Sequence, residues 1–256
     1  MTAWHPLRVA GRFLWFVGVV LAAVFDFLFR CAFRPDNSAP APRALWLQRH
    51  SRRVLDIFRL EARVEGSVPA RGLLVSNHLG YLDVFVLASI APAVFVAKRE
   101  IKFWPVIGWL TQMGGTLFVD RERRVQVGRM NDEIQAALDQ GALVVLFPEG
   151  GSSDGQTVLP FKSSLLEPAV QPAYPLSVSA IQYAIEDGDV IREVCYWGDH
   201  TFFPHLLNLL GKRAIRATVR FAPVQRTCVD RKQLALQLRE EILQLKADSS
   251  QGVIGS

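Results

Sequence analysis

Cysteine is scarce in this chain. Cys31, Cys195 and Cys228 are scattered along 256 residues, with no C-x-x-C pair and no even-numbered framework. The sequence therefore offers no material for a disulfide scaffold or a zinc cage. Histidine is thin as well: His5, His50, His200 and His205 show no ligand spacing with His78, and no metal is expected. No basic stripe carries interleaved stacking aromatics, so nucleic acid is not an expected partner. Internal repeats and low-complexity tracts are missing, and so is a G-x-S-x-G elbow of the hydrolase kind. Charged residues make up 21% and hydrophobic ones 50%, which excludes disorder and leaves ample material for a core. The length suits one catalytic-sized domain and a small appendage, since domains run to roughly 100–200 residues.

Lysine is absent from the first sixty residues, where nine arginines face three aspartates, Asp26, Asp36 and Asp56, for 9 − 3 = +6. The remaining residues hold 20 Lys+Arg against 21 Asp+Glu, or −1, so the net charge of +5 belongs to the N-terminal quarter. What accompanies that charge is hydrophobicity. Residues 13–25 carry no polar side chain, and Phe27-Leu28-Phe29 resumes the run beyond Asp26. Seventeen helical residues reach about 25 Å against a hydrocarbon core of roughly 30 Å. A signal peptide would need small residues where Phe27-Leu28-Phe29 stands. The reading is a membrane-embedded helix, spanning or re-entrant, with flanking arginines set to meet anionic headgroups. After a proline-rich break at 35–44, residues 45–60 read as a basic amphipathic helix that lies at a membrane interface or packs on the main domain. A division follows: residues 1–60 as anchor helices, residues 61–256 as the main domain.

From Ala62 onward short apolar runs alternate with helical stretches. Residues 72–76, 94–97, 116–119 and 142–147 read as buried strands, and 177–182, 190–196 and 217–221 carry strand composition. Residues 84–90, 128–140 and 230–246 read as helices, and the last eight residues as a loose tail. The alternation argues an α/β fold, a sheet flanked by helices.

Three local features carry chemistry. Asn77-His78-Leu79-Gly80-Tyr81-Leu82-Asp83 leaves a buried strand and enters a helix. On one regular helix His78 and Asp83 would point about 140° apart. They meet only if the chain turns, and Gly80 permits a turn. A carboxylate on one imidazole nitrogen fixes the tautomer and leaves the other nitrogen basic. The plain alternative is a surface histidine beside a first-turn aspartate. Second, the strand at 143–147 runs into Pro148-Glu149-Gly150-Gly151-Ser152-Ser153-Asp154-Gly155. Consecutive glycines expose backbone N–H groups that suit an oxyanion or phosphate, and Glu149 is poised to hydrogen-bond hydroxyls. Third, the strand from Gly115 to Val119 leads through Asp120 to Arg121, a residue suited to anion recognition.

In order and spacing these features resemble the glycerolipid acyltransferase family, whose best-known members make phosphatidic acid from lysophosphatidic acid. Asn77, His78 and Asp83 match its N-H-x4-D block. Gly115, Leu117, Phe118, Val119 and Arg121 match its G-x-[IL]-F-[IV]-x-R strand, and Phe147, Pro148, Glu149 and Gly150 its F-P-E-G-T-R-S block. The stretch from Ala97 to Ile101 and Pro105-Val106-Ile107-Gly108 are similar to the segment between its first two blocks. The chain departs from the family at Gly151-Ser152-Ser153, which stands where the family has Thr-Arg-Ser. The arginine associated with the acceptor's phosphate is therefore missing. Arg121, Lys98, Arg99 and Lys162 are the cations left to supply that charge. The glycine-serine loop, residues 159–164 and residues 196–205 resemble a bacterial branch that acylates lyso-ornithine lipid.

The resemblance implies a mixed β-sheet flanked by helices behind a two-helix membrane anchor. It also implies transfer of an acyl group from a thioester to a lysolipid hydroxyl. His78 and Asp83 are the expected catalytic pair. Glu149, Gly150, Gly151, Arg121, Lys98 and Arg99 are the expected substrate-binding residues. No cofactor is expected. An acyl-carrier protein or coenzyme A thioester is the co-substrate, and the lipid bilayer and the lysolipid are the partners. The expected place is a bacterial inner membrane, with the catalytic domain on the cytoplasmic side. Two further readings stand beside this one: a Ser76–His78 hydrolase, and a membrane-anchored lipid-binding protein without catalysis.

Overall fold

The computed structural model describes residues 6–32, 40–104, 106–120, 124–227 and 230–251. Two buried, mainly apolar stretches set the centre of the sheet: β2 (Gly72–Ser76) and β5 (Leu143–Leu146) are buried at every residue. Continuous apolar strands of this kind need cover on both faces, and that is how parallel sheets are built. Among the described residues, seven strands form one sheet. The others are β1 (Leu60–Glu65), β3 (Val94–Lys98), β4 (Leu117–Val119), β6 (Leu176–Ile185) and β7 (Ile215–Pro223), in the order β1-β7-β6-β2-β5-β3-β4. Every neighbouring pair is parallel except β6 and β7.

Helices cover both faces. On one side lie α2 (Pro40–Phe58), α3 (Leu82–Ile90) and α8 (Phe202–Gly211), contributing Val54, Leu82 and Leu209 to the core. On the other lie α5 (Arg124–Asp139), α6 (Glu167–Val170) and α9 (Arg231–Gln251), contributing Ile134, Ala169 and Leu238. Two further helices are α4 (Ile107–Met113) and α7 (Val190–Glu193). The expected mixed α/β sheet with flanking helices is what the chain forms.

The N-terminal residues form α1 (Pro6–Phe27), extended by a π-helical turn at Leu28–Ala32. The helix is long and apolar enough to cross a membrane, by length and composition alone. It is also tied to the main domain: Arg8 donates to the Gly211 carbonyl, and Arg12 to those of Leu210 and Lys212. These are the orphan acceptors at the end of α8, so the arginines act as its C-terminal cap. The second helix is a packed one. Trp46, Ile57 and Phe58 in α2 are almost fully buried, and Arg52 donates to the Ser89 carbonyl at the end of α3. It begins at Pro40, inside the expected proline-rich break, because first-turn positions need no amide donor. The rest of that break, residues 35–39, lies outside the described residues.

Three elements differ from the sequence reading. Residues 190–196 have strand composition, yet Val190–Glu193 is a helix because the Asp189 side chain caps it, accepting from the Arg192 amide at 2.8 Å. Residues 202–211 were not read as helical and form α8. The strand at 60–65 was also not foreseen, since only one edge residue of Leu60–Glu65 is buried. The terminal helix runs to Gln251, and the remainder of the expected tail lies outside the described residues.

Candidate active site

β2 and β5 are parallel neighbours, so the loops at their C-terminal ends meet at one edge of the sheet. One loop carries residues 77–81 and the other residues 147–155. Asn77 is locked first. Its side chain donates to the Ile181 carbonyl and accepts from the Ile181 amide, at 3.0 and 2.7 Å, which fixes the start of the loop against β6. The chain then turns before α3 begins, bringing His78 Nδ1 to 2.8 Å from Asp83 Oδ2. Asp83 Oδ2 also accepts from the amides of Leu79 and Gly80, at 2.6 and 3.0 Å. Gly80 serves this turn by close approach: a Cβ there would lie 3.0 Å from Cβ of Tyr196 and 3.1 Å from its amide nitrogen.

Asp83 is fully buried, and its other oxygen accepts from the Tyr183 hydroxyl at 2.7 Å. Burial and the neighbouring Asp83 charge both push the Tyr183 hydroxyl well above its ordinary range, so it stays a donor. Sequence reasoning missed Tyr183, because a lone tyrosine in an apolar strand 100 residues from Asp83 carries no local signal. The carboxylate holds the Nδ1–H tautomer, leaving Nε2 of His78 as the basic atom. The imidazole stacks on Phe147, ring centroids 4.2 Å apart, so its plane is fixed from below.

Glu149, expected among the substrate-binding residues, accepts from backbone amides with both carboxylate oxygens. Its Oε1 accepts from the His78 amide at 2.7 Å and its Oε2 from the Leu159 amide at 2.9 Å, in a nearly closed environment. Burial raises its pKa, and the two backbone donors oppose that shift. Glu149 thus braces the loop after β5 against the loop after β2. Ser153 completes the brace by donating its amide to the His78 carbonyl at 2.9 Å. Ser152, at the position of the family arginine, donates its hydroxyl to the Tyr196 carbonyl.

His78, Gly150, Gly151 and Ser152 open onto an apolar cavity of about 350 Å³. It runs between the sheet, α1, α2 and residues 99–113, reaching Ala23 and Trp46 where the two N-terminal helices meet. Lys98 lines the cavity; Arg99 does not, and pairs with Asp120 at 3.4 Å. Lys162 stands outside the cavity lining, and Arg121 lies outside the described residues. The Ser76 hydroxyl donates to the Ser179 carbonyl and is wholly buried. It is not presented to a substrate, which removes the Ser76–His78 hydrolase. His205 takes a supporting place: its Nδ1 lies 2.9 Å from the hydroxyl of Tyr81, a cavity residue.

Comparison with known proteins follows the same lines. A family model described as Acyltransferase matches residues 59–182. Over 236 residues the chain is 34% identical to the lyso-ornithine lipid O-acyltransferase of Rhizobium meliloti (strain 1021), covering 86% of this chain and 78% of that protein. It is 34% identical over 152 residues to the 1-acyl-sn-glycerol-3-phosphate acyltransferase of Neisseria gonorrhoeae, covering 56% of this chain and 60% of that one. The crystal structure of the 1-acyl-sn-glycerophosphate (LPA) acyltransferase of Thermotoga maritima superposes with a TM-score of 0.66 at 19% identity, over 94% of this chain and 95% of that one.

Proposed function

The chain belongs to the acyltransferase family, and from that premise we propose that it moves a fatty acyl group from an acyl thioester to the hydroxyl of a lysolipid at a membrane. The carrying observation is the His78–Asp83 pair opening onto a long apolar cavity. Nε2 of His78 takes the proton of the acceptor hydroxyl as its oxygen attacks the thioester carbonyl. The new C–O bond forms a tetrahedral oxyanion, for which the backbone N–H groups of Gly151 and Ser152, in the cavity wall with His78, are the donors we assign. Collapse breaks the C–S bond, and the imidazolium returns its proton to the departing thiolate. Asp83, held by Tyr183 and two amides, orients the ring and stabilises its charge while the proton is in transit. No acyl-enzyme and no cofactor enter this route.

The acceptor favoured by the site is a lyso-ornithine lipid. An uncharged Ser152 replaces the family arginine, and relatives bearing that name cover most of the chain. Lysophosphatidic acid is the second reading, supported by Lys98 in the cavity wall and by the Neisseria relative. The acyl donor is an acyl-carrier protein or coenzyme A thioester. A donor of this kind, drawn from the cytoplasm, supports a site on the cytoplasmic side of a bacterial inner membrane.

The test is purified protein with a radiolabelled acyl thioester and each lysolipid in parallel. His78→Ala is expected to lower product formation by at least 10³-fold, in line with loss of a general base. Equal product from wild type and His78→Ala would instead support a lipid-binding protein without catalysis. Faster turnover of lysophosphatidic acid would overturn the choice of acceptor.

A further inference from the structure

We propose that residues 99–104 and 106–113 extend the membrane contact beyond α1, with Phe103, Val106 and Trp109 entering the headgroup region of an anionic bilayer. This deepens the membrane-bound reading above and rests on it. Residues 99–104 and 106–113 have two apolar sides. Ile101, Trp104, Ile107 and Leu110 face inward and line the cavity. Phe103 and Trp109 face outward and are 70% and 68% exposed. Two large aromatics left in water this close together mark a surface with a partner.

The chemistry of the surface selects lipid. Tryptophan and phenylalanine flanked by lysine suit the zone where acyl chains give way to headgroups. Lys102, next to Phe103 in the chain, and Lys98, at the end of β3, are exposed, and cations there are drawn to anionic lipid. The surface also continues the outer side of α1, whose Leu14, Leu21 and Phe25 are exposed. The two walls join where Leu110 and Met113 pack on Ala23 and Trp46. Val106 between the aromatics has φ +64 and ψ −55, a γ-turn conformation that is rare for any residue and strained for a β-branched one. Strain of this kind persists at ligand-contacting turns. Here the strained residue is itself exposed, as Phe103 and Trp109 are.

The experiment uses the full chain and vesicles of phosphatidylethanolamine with a quarter phosphatidylglycerol. Phe103→Ser/Trp109→Ser is expected to partition into these vesicles roughly tenfold less than wild type. Acyl transfer in detergent micelles should stay within about twofold, because neither side chain lines the cavity. Phe103→Leu, which keeps apolar bulk, should partition as wild type does. Phospholipids brominated on the acyl chain should quench wild-type fluorescence more than that of Trp109→Phe. Equal quenching of these two proteins would overturn the proposal. So would unchanged partition of the double serine variant together with a shift in its oligomeric state by light scattering, which would assign the surface to a second copy. Absence of wild-type product in micelles would sink the acyl-transfer reading alone, and the vesicle measurements would still judge this one.

Discussion

Behind the His78–Asp83 pair, Nδ1 of His205 lies 2.9 Å from the Tyr81 hydroxyl, and burial favours the neutral form of both groups. Burial, with His200 adding to it, lowers the His205 pKa to about 4, against about 6.5 for a free imidazole. The unfolded chain therefore takes up a proton first as the pH falls. Stability contributed by this ring is complete above pH ~6.5 and is lost progressively down to about 4. Between pH 6.5 and 5 that amounts to about 2 kcal/mol. His205→Gln is expected to be less stable than wild type at pH 7.5, with the gap narrowing by roughly that amount at pH 5. Denaturant midpoints at the two pH values measure it, and a constant gap would mean that His205 does not titrate as its burial requires. At this scale the sequence exposed His78 and Asp83 through their spacing. It did not expose Tyr183, nor the way Asn77 grips Ile181, since these partners lie about a hundred residues away. Glu149 was visible by type, but not the brace that its two oxygens make between loops.

At the scale of elements, residues 99–113 show how one glycine can hold a wall in place. A Cβ on Gly108 would sit 2.2 Å from the Lys102 carbonyl oxygen, a contact with backbone that no side-chain rotation relieves. Gly108→Ala should push apart the two halves of the wall carrying Ile101, Trp104, Ile107 and Leu110. The sheet, which these residues only flank, should persist. The expected outcome is a loss of acyl transfer of at least tenfold with far-ultraviolet circular dichroism unchanged, since a shift of about 1 Å at a site costs on the order of 10² in rate. Faster limited proteolysis at 99–113 should accompany it, and full activity with unchanged proteolysis would count against the account. The central strands were legible because burial on both faces demands an uninterrupted apolar run, as in β2 and β5. β1 was not, because an edge strand with one buried residue resembles a loop in composition. Val190–Glu193 misleads for the opposite reason: β-branched residues suggest a strand, and the capping Asp189 overrides them.

Across the whole molecule, the arginine excess of the first sixty residues joins parts of the chain together. Arg8 and Arg12 cap α8, Arg43 donates to the Gln112 carbonyl, Arg52 to that of Ser89, and Arg30 and Arg49 pair with Asp26. Composition shows the excess, but only the fold shows where each guanidinium points. The result is that α1 and α2 are held as walls of the cavity that starts at His78. Ala23 offers a test. It is buried, lines the cavity and packs in the corner formed with Trp46 and Leu110. Ala23→Leu adds three carbons to that corner. If a fatty acyl chain occupies the cavity, the same number of methylenes must be given up by the substrate. Each methylene is worth about 1–3 kcal/mol in a closed apolar pocket. Competition between acyl thioesters of graded length should therefore show the variant preferring chains about two to four carbons shorter than wild type does. Its rate with the shorter chains should match the wild-type rate, since His78 and Asp83 are untouched. An unchanged length preference, with the substitution tolerated, would place the acyl chain elsewhere.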